Sequence, residues 1–143
     1  MKIRQAREGD ESFIVAAVRE LANSLGEQSP LAEQYVREFL SQPGCGVLLA
    51  EVEGQIVGLV SYTMRPNLYC AGASGQIEEL FVHEAFRGRG VARALMTEAL
   101  RRLAQMGCAE VAVSTTPGNT VAQQLYRSLG FTDEWVLLEK HLR

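Results

Sequence analysis

The sequence predicts a single α/β (α+β) domain with a mixed, mostly antiparallel central sheet flanked by helices. One domain over residues 1–143 is long enough to bury a sizeable core. Hydrophobic residues make up 47% of the chain and charged residues 22%, which is the ordinary balance of a globular protein. Along the chain, strand-like and helix-like apolar patterns succeed one another in the order β α α β β β α β α β.

The first part of the chain predicts one short strand and two helices. Residues Lys2–Ala6 alternate as in a strand. Asp10 is a favourable N-cap and the apolar residues after it recur at helical spacing, so a helix is expected to run from there to near Gly26. Ser29–Pro30 is expected to start a second helix, because proline is tolerated in a first turn, and Pro43–Gly44 ends it.

The pattern then changes from helical spacing to strand alternation. Val47–Val52 and Ile56–Met64 are predicted to form an antiparallel hairpin around the turn signal Glu53–Gly54. Arg65–Gly75 is predicted to be a polar connection that contains glycine. The next strand is predicted at Gln76–Val82.

The last part of the chain predicts two more helices and two more strands. Val91–Met106 is strongly amphipathic and predicts a helix with Gly107 at its C-terminal end. A strand is expected at Glu110–Ser114, a helix at Thr120–Leu129 and a final strand at Trp135–Glu139. No internal repeat, linker or low-complexity segment interrupts this order.

The charge pattern favours an anionic small ligand over nucleic acid. The formal net charge is −3, whereas general nucleic-acid binders usually carry a basic stripe. Against this acidic background, five of the 14 basic residues fall within one segment, and such a local excess attracts anions. The five are Arg87, Arg89, Arg93, Arg101 and Arg102.

The cysteines predict neither a disulfide framework nor a metal site. Cys45, Cys70 and Cys108 are odd in number and widely spaced. Reduced thiols, together with strand-like alternation where a signal peptide would stand, predict a cytoplasmic protein. No apolar run approaches the ~20 residues that span a bilayer, so no membrane association is expected.

The segment Arg87–Ala92 has the composition of a phosphate-binding loop between a strand and a helix. The first turn of a helix leaves backbone N–H groups unpaired and carries partial positive charge. Gly88 and Gly90 allow a phosphate to approach that backbone closely, and the arginines add directed donors. The segment lacks the Gly-Lys-Ser/Thr ending of a P-loop and the three early glycines of a dinucleotide fingerprint. A plain turn with surface arginines is the alternative interpretation.

Two segments together resemble the GNAT superfamily of acetyl-CoA-dependent N-acetyltransferases. Ile77–Ala92 resembles the family's acetyl-CoA motif, Arg/Gln-x-x-Gly-x-Gly/Ala, and Asn119–Phe131 resembles its C-terminal motif, in which an asparagine precedes a tyrosine and a Gly-Phe pair. The motif positions are occupied by Arg87, Gly90 and Ala92 and by Asn119, Tyr126, Gly130 and Phe131. The order of elements also matches, so the resemblance spans nearly the whole chain.

The resemblance implies that acetyl-CoA is the co-substrate and that no metal is required. The cofactor would lie in a V-shaped gap between two adjacent parallel strands, Gln76–Val82 and Glu110–Ser114. Backbone groups of the first strand would pair with the pantetheine arm, and the loop would hold the pyrophosphate. The implied cofactor-binding residues are Leu80, Phe81, Val82, Arg87, Gly88, Arg89, Gly90, Val91, Ala92, Arg93 and Asn119.

Acetyl transfer to an amine requires a base for the amine, a donor for the carbonyl oxygen and an acid for the leaving thiolate. The resemblance places the Tyr126 hydroxyl near the thioester sulfur, as the acid; the alternative is a core tyrosine. Strand alternation predicts Glu78 and Glu79 on opposite faces, with Glu78 on the face of Leu80 and Val82. The resemblance implies a glutamate base on that face, at a position matching Glu78 or Gln76. Glu78 is therefore the favoured base, acting through a water, and a carboxylate that only binds the ammonium is its alternative.

Other nucleophiles and bases are less favoured by the pattern. For Glu79, the alternative to a catalytic role is a solvated or paired carboxylate. His83 lies just past a strand end, where a surface residue is more typical than a base. No cysteine sits beside a histidine in the motif region, which argues against an acyl-enzyme.

The sequence leaves the acceptor amine open. A small molecule is favoured over a protein because the chain has no room for an extra domain, and a homodimer is plausible for such folds. Glu27, Glu33 and Glu38, together with Glu78, are expected to line an acidic approach for a cationic amine; the alternative is that they are only solvated helix charges. An apolar wall is expected from Tyr62, Tyr69 and Phe86. The alternative function is a non-catalytic acyl-CoA-binding sensor or interaction domain on the same fold.

Overall fold

The structure, a computed structural model, describes all 143 residues and confirms the predicted class: a mixed five-stranded sheet flanked by four helices. The strands are β1 (Lys2–Gln5), β2 (Cys45–Val52), β3 (Gln55–Asn67), β4 (Gly72–Val82) and β5 (Cys108–Val113). The helices are α1 (Glu11–Ser24), α2 (Glu33–Ser41), α3 (Val91–Gln105) and α4 (Thr120–Ser128), with a 3-10 turn at Glu84–Phe86. None of the helices combines the length and apolar character needed to cross a membrane.

The strands follow one another across the sheet in sequence order, from β1 at one edge to β5 at the other. The first three pairs are antiparallel, and β4 with β5 is the one parallel pair. A parallel neighbour requires a crossover connection, and α3 supplies it. The predicted hairpin turn is confirmed, since Glu53 and Gly54 both have positive φ, at 53° and 77°.

Each face of the sheet buries its own apolar cluster. On one face, Leu95, Ala99 and Leu103 recur at every fourth residue of α3 and are fully buried against the sheet. Residues of α4 complete that cluster. On the other face, α1 and α2 cover a second cluster that includes Leu59 of β3 and Phe81 of β4. The two clusters hold β4 rigidly from both sides, and β4 is the strand on which the predicted site stands.

Two predicted boundaries are wrong. The second helix begins at Glu33, because Ser29 accepts a hydrogen bond from the N–H of Leu31 and forms a local turn before the helix. The predicted connection Arg65–Gly75 is mostly strand, since β3 and β4 stay paired out to Asn67 opposite Gly72. Backbone pairing overrides the polar composition there, and only four residues remain in the turn.

The predicted strand at Trp135–Glu139 is also wrong for this single chain. Residues after Gly130 form no helix or strand, and the side chains of Trp135, Val136 and Leu138 are 90%, 85% and 88% exposed. A strand exists only when a neighbouring strand satisfies its backbone groups, and β5 keeps its outer edge free of any partner.

Asp10 stands at the predicted N-cap of α1, but its side chain does not cap the helix. Its carboxylate instead accepts hydrogen bonds from the guanidinium of Arg4 and from the backbone N–H of Arg7. The Arg4 guanidinium also bonds Glu51 on β2. These bonds tie the start of α1 to the edge of the sheet, and the Arg4 bond lowers the pKa of Asp10.

Candidate active site

The pairing of the two parallel strands ends where the resemblance implies a cofactor gap. Paired residues run from Ala73 opposite Cys108 to Ile77 opposite Val113. β4 continues to Val82, so its last five residues have no partner on the β5 side. Their backbone groups on that side are open to an extended ligand, which is the geometry that a pantetheine arm requires.

The loop from Arg87 to Gly90 leads directly into α3, and the backbone N–H groups at this junction are unpaired. Gly88 and Gly90 have φ of 75° and 82°, in the left-handed region that glycine adopts without strain. No protein atom lies within 4 Å of where a Cβ would stand at either position. The first helical bond of α3 runs from the N–H of Ala94 to Gly90, and no backbone acceptor meets the N–H groups of residues 88–93. An anion fits this open, electropositive helix start.

The three arginines of the loop have protein contacts of their own. The Nε of Arg87 donates to the carbonyl of Val82 at 2.9 Å and closes the loop onto the end of β4. The guanidinium of Arg89 lies over the ring of Phe86, 5.3 Å from its centroid. Arg93 donates to the hydroxyl of Ser128 and links α3 to α4. These contacts hold the positive charges at the loop.

A β-bulge interrupts β4 beside the gap. Val60 is opposite Leu80, whereas Tyr62 is opposite Ile77, so β4 has one residue more than β3 across this interval. Ser61 therefore faces two residues, Glu78 and Glu79. Bulges of this kind redirect side chains near functional sites.

The bulge corrects the predicted orientation of the two glutamates. Ile77 before the pair and Leu80 after it both pack in the cluster against α3, so Glu78 and Glu79 point together toward the opposite face. Glu78 does not share the face of Leu80 and Val82, as simple alternation predicts. The failure has a local cause, because the extra residue shifts the alternation by one position.

Ser61 fixes one member of the pair. Its hydroxyl donates to Oε1 of Glu79 at 2.5 Å and accepts from the backbone N–H of Glu79 at 3.0 Å. Ser61 is only 4% exposed, so both bonds are sheltered from water. Sequence reasoning missed this residue; its only signal is a lone hydroxyl within the apolar run of β3.

The Glu78 carboxyl has a perturbed pKa. Desolvation by the surrounding protein raises the pKa, the negative charge of Glu79 raises it further, and Arg65 lowers it. Glu78 is exposed as a residue, so its carboxyl remains open to solvent and ligand. A raised pKa makes this carboxylate a stronger base than an ordinary glutamate, which suits it to accepting a proton.

Tyr126 on α4 combines a buried ring with an accessible hydroxyl. The residue is 8% exposed, belongs to the same cluster as Ile77, and meets Phe131 edge-on with centroids 6.0 Å apart. The Tyr126 hydroxyl makes no hydrogen bond to the protein. Every buried side-chain oxygen or nitrogen has a hydrogen-bond partner, so this unpaired hydroxyl oxygen is not buried and is reached by solvent. Burial raises the pKa of Tyr126 and keeps it protonated at neutral pH.

Asn119 is the N-cap of α4. Its side-chain oxygen accepts from the N–H of Ala122 at 3.1 Å, which leaves its amide donors free. The asparagine therefore fixes the helix that carries Tyr126, and its exposed position keeps the free donors available to a ligand.

The predicted acceptor wall does not form. Tyr62 is 4% exposed within the cluster against α3, whereas Tyr69 lies in the β3–β4 turn and is 96% exposed. Phe86 is half-buried under Arg89. The three predicted acidic residues Glu27, Glu33 and Glu38 are all exposed on and before α2.

The remaining titratable candidates are a histidine packed against aromatic rings and three cysteines. His83 lies against the edges of Phe13 and Phe81, with ring centroids 5.6 and 5.3 Å away. The three cysteines are free, and no group of three or more metal-ligating side chains converges anywhere in the chain.

A parallel strand pair in which one strand runs on unpaired toward a glycine-containing helix start is the arrangement expected of an acyl-CoA-binding transferase fold. Residues 14–131 match the family described as "Acetyltransferase (GNAT) family". The chain belongs to this family, and it is an N-acetyltransferase. Use of acetyl-CoA as co-substrate follows from the family.

Relatives of known activity agree with this assignment. Thialysine N-epsilon-acetyltransferase from Sus scrofa is 28% identical over 142 residues, which cover 92% of this chain and 84% of that protein. Aminoglycoside N(6')-acetyltransferase type 1 from Salmonella typhimurium is 31% identical over 100 residues, covering 67% of this chain and 68% of the relative. The structure of aminoglycoside N-acetyltransferase AAC(6')-Iy in complex with CoA has a TM-score of 0.79 and 25% identity, and 99% of each chain is covered.

Proposed function

We propose that this protein transfers the acetyl group of acetyl-CoA to a primary amine of a small cationic molecule, by direct attack in a ternary complex. The observation that carries the proposal is the unpaired stretch of β4 beyond Ile77, together with the open start of α3. In this proposal the unpaired edge lies between a site for a pyrophosphate and the groups that the reaction needs, which are a pair of carboxylates and a tyrosine hydroxyl.

The cofactor is held mainly by backbone groups. The N–H groups between Gly88 and Arg93 receive the pyrophosphate, and the arginine charges around them strengthen its binding. The free edge of Leu80, Phe81 and Val82 pairs with the amides of the pantetheine arm. Asn119 donates its remaining amide hydrogens to the same arm from the opposite side of the gap.

Glu78 is the proposed base. The acceptor enters as an ammonium, and its proton passes to the exposed Glu78 carboxylate through a water. The amine nitrogen then attacks the thioester carbon. A backbone N–H of Leu80–Val82 donates to the carbonyl oxygen while negative charge develops there.

Tyr126 is the proposed acid. As the carbon–sulfur bond breaks, the Tyr126 hydroxyl gives its proton to the thiolate of CoA and regains one from solvent. Its raised pKa means that the proton is present at neutral pH before the reaction starts.

The glutamate pair supports a cationic acceptor. Two carboxyl groups on one side of the bulge attract an ammonium group, and the exposed acidic residues of α2 add to this field. The named substrates of the relatives, aminoglycosides and thialysine, are amines, which makes small polyamine-like molecules the first to test. The free cysteines fit a reducing compartment and support a cytoplasmic location.

The test has two stages. Calorimetric titration with acetyl-CoA measures binding, and release of free thiol from a panel of aminoglycosides, lysine analogues, polyamines and peptide N-termini measures transfer. Saturable release with one class of small amine supports the proposal; release only with peptides refutes the acceptor class. Binding without release on any amine would favour a non-catalytic acyl-CoA sensor. Gly90→Asp, which places a carboxylate at the pyrophosphate position, is the matched control for binding at this site.

A further inference from the structure

Three neighbouring strands present a row of complementary polar groups on the face of the sheet that carries Glu78. Arg65 on β3 is opposite Ser74 on β4, and Ser74 is in turn opposite Glu110 on β5. Residues opposite each other share a face of the sheet, and neighbouring strands are about 5 Å apart. A positive charge, a hydroxyl and a negative charge therefore lie side by side.

The packing of the adjacent residues shows which face carries this row. Successive side chains of a strand point to opposite faces. The residues next to the row in sequence point toward α3, where a Cβ on the glycine among them would lie 3.1 Å from Leu103; they are Met64, Gly75 and Val111. The row itself therefore points away from α3, as Glu78 does.

The protein leaves the groups of the row without partners. Among the arginines in helices and strands, only Arg65 makes no ion pair, hydrogen bond or ring contact through its side chain. Arg65 and Glu110 are both exposed, and Glu110 forms no ion pair either. Ser74 is only 4% exposed, but its hydroxyl bonds to no protein atom and remains open to solvent. Two opposite charges that flank an open hydroxyl match a zwitterion.

We propose that the acceptor is an α-amino acid with an amine at the end of its side chain, and that Arg65 and Glu110 hold its α-carboxylate and α-ammonium groups. This inference rests on the proposed function, because it names the acceptor of the same site. The planar guanidinium donates two parallel hydrogen bonds to a carboxylate, and a glutamate accepts from an ammonium. The Ser74 hydroxyl lies between the two charges and can donate or accept. A diamine without a carboxylate offers Arg65 only a like charge, which selects against it.

The distance along β4 from this row to the proposed base sets the length of the acceptor. Ser74 and Glu78 are four residues apart, which corresponds to roughly 13 Å of strand. An extended chain of four methylenes and an amine, followed by one bridging water, spans roughly 9 Å, and the Glu78 side chain crosses the remainder. Arg65 is close enough to lower the pKa of Glu78, so one small molecule can reach both ends. The face between them carries Gln76 and, opposite it on β5, the small side chain of Ala112.

Steady-state kinetics with matched amines test the inference. L-Lysine is compared with 1,5-diaminopentane and L-ornithine with 1,4-diaminobutane, because each pair differs only by the carboxylate. The wild type should show a kcat/KM at least ten-fold higher for the better amino acid than for its diamine, since a site built for a polar group rejects an analogue that lacks it.

Arg65→Gln should lower kcat/KM for the amino acid by roughly ten- to hundred-fold, mainly through KM, and leave the diamine at or above its wild-type value. The variant also raises the pKa of Glu78, but this change acts on both amines equally, so the ratio between them isolates recognition of the carboxylate. Arg65→Lys, which keeps the charge without the planar fork, should recover part of the ratio. Glu110→Gln should lower kcat/KM for L-lysine but not for Nα-acetyl-L-lysine, which has no α-ammonium group.

The matched control is Arg7→Gln in the connection between β1 and α1, where the arginine is exposed and its side chain makes no ion pair. This variant should keep the wild-type ratio, and all four variants should keep the circular dichroism spectrum, because the replaced side chains are exposed. A wild type that prefers neither amino acid over its diamine, or a ratio that Arg65→Gln leaves unchanged, refutes the inference while the proposed function stands. Thiol release with aminoglycosides but with neither amino acid does the same. No release with any amine overturns the inference and the proposed function together.

Discussion

Replacing Ser61 with alanine tests whether the Ser61 hydroxyl orients the glutamate pair. The substitution removes a hydroxyl that donates to the Glu79 carboxylate at 2.5 Å and accepts from its backbone N–H at 3.0 Å. The change in volume is a single oxygen, so packing is nearly unchanged. A buried hydrogen bond to a charged group contributes about 1.5–3 kcal/mol, and the deletion should therefore lower the free energy of unfolding by about 2 kcal/mol.

The expected shift in melting temperature follows from chain length. An unfolding entropy of about 2.1 cal/mol/K per residue gives about 0.3 kcal/mol/K for this chain, so a loss of about 2 kcal/mol lowers Tm by about 7 °C. The matched control is Ser74→Ala on β4. Ser74 is equally buried, at 4% exposure, but its hydroxyl makes no hydrogen bond to protein, so its loss should cost less than about 0.5 kcal/mol.

Thermal unfolding followed by circular dichroism measures the loss of stability, and the pH dependence of kcat/KM measures the change in the pKa of Glu78. Once released from Ser61, the Glu79 carboxylate can move away from Glu78, so its contribution to the raised pKa of Glu78 weakens. The acid limb of the pH–rate profile therefore moves to lower pH. Equal Tm values for the Ser61→Ala and Ser74→Ala variants, or an acid limb that stays in place, would refute this account of the pair.

Three further variants test the other roles. Tyr126→Phe should lower kcat by ten- to ten-thousand-fold, on the order of an acid catalyst's contribution, with the affinity for acetyl-CoA in calorimetry retained; an unchanged kcat removes the tyrosine from the mechanism. Glu79→Gln deletes a like charge and should move the acid limb of the pH–rate profile to lower pH, whereas Arg65→Gln deletes a charge that lowers the pKa of Glu78 and should move it to higher pH; shifts in the same direction would show that Glu78 is not the titrating base. Gly90→Asp should abolish acetyl-CoA binding in calorimetry with the circular dichroism spectrum intact, and binding within three-fold of the wild type would refute the loop as the pyrophosphate site.

Much of the fold is predictable because its signals are local. The four helices are encoded by periodicity within the segments that form them, and the β2–β3 hairpin by two alternating segments around a turn signal. The loop before α3 is predictable for the same reason, because a strand, two glycines and an amphipathic helix are adjacent in sequence.

The bulge could not be predicted from local sequence, because it depends on how two strands pair. Nothing in the sequence of β4 alone places an extra residue at Glu78, and the serine that faces it is 18 positions away on β3. Alternation within one strand therefore predicts the wrong face for Glu78. Site residues that depend on register across a sheet are the ones that sequence reasoning misplaces.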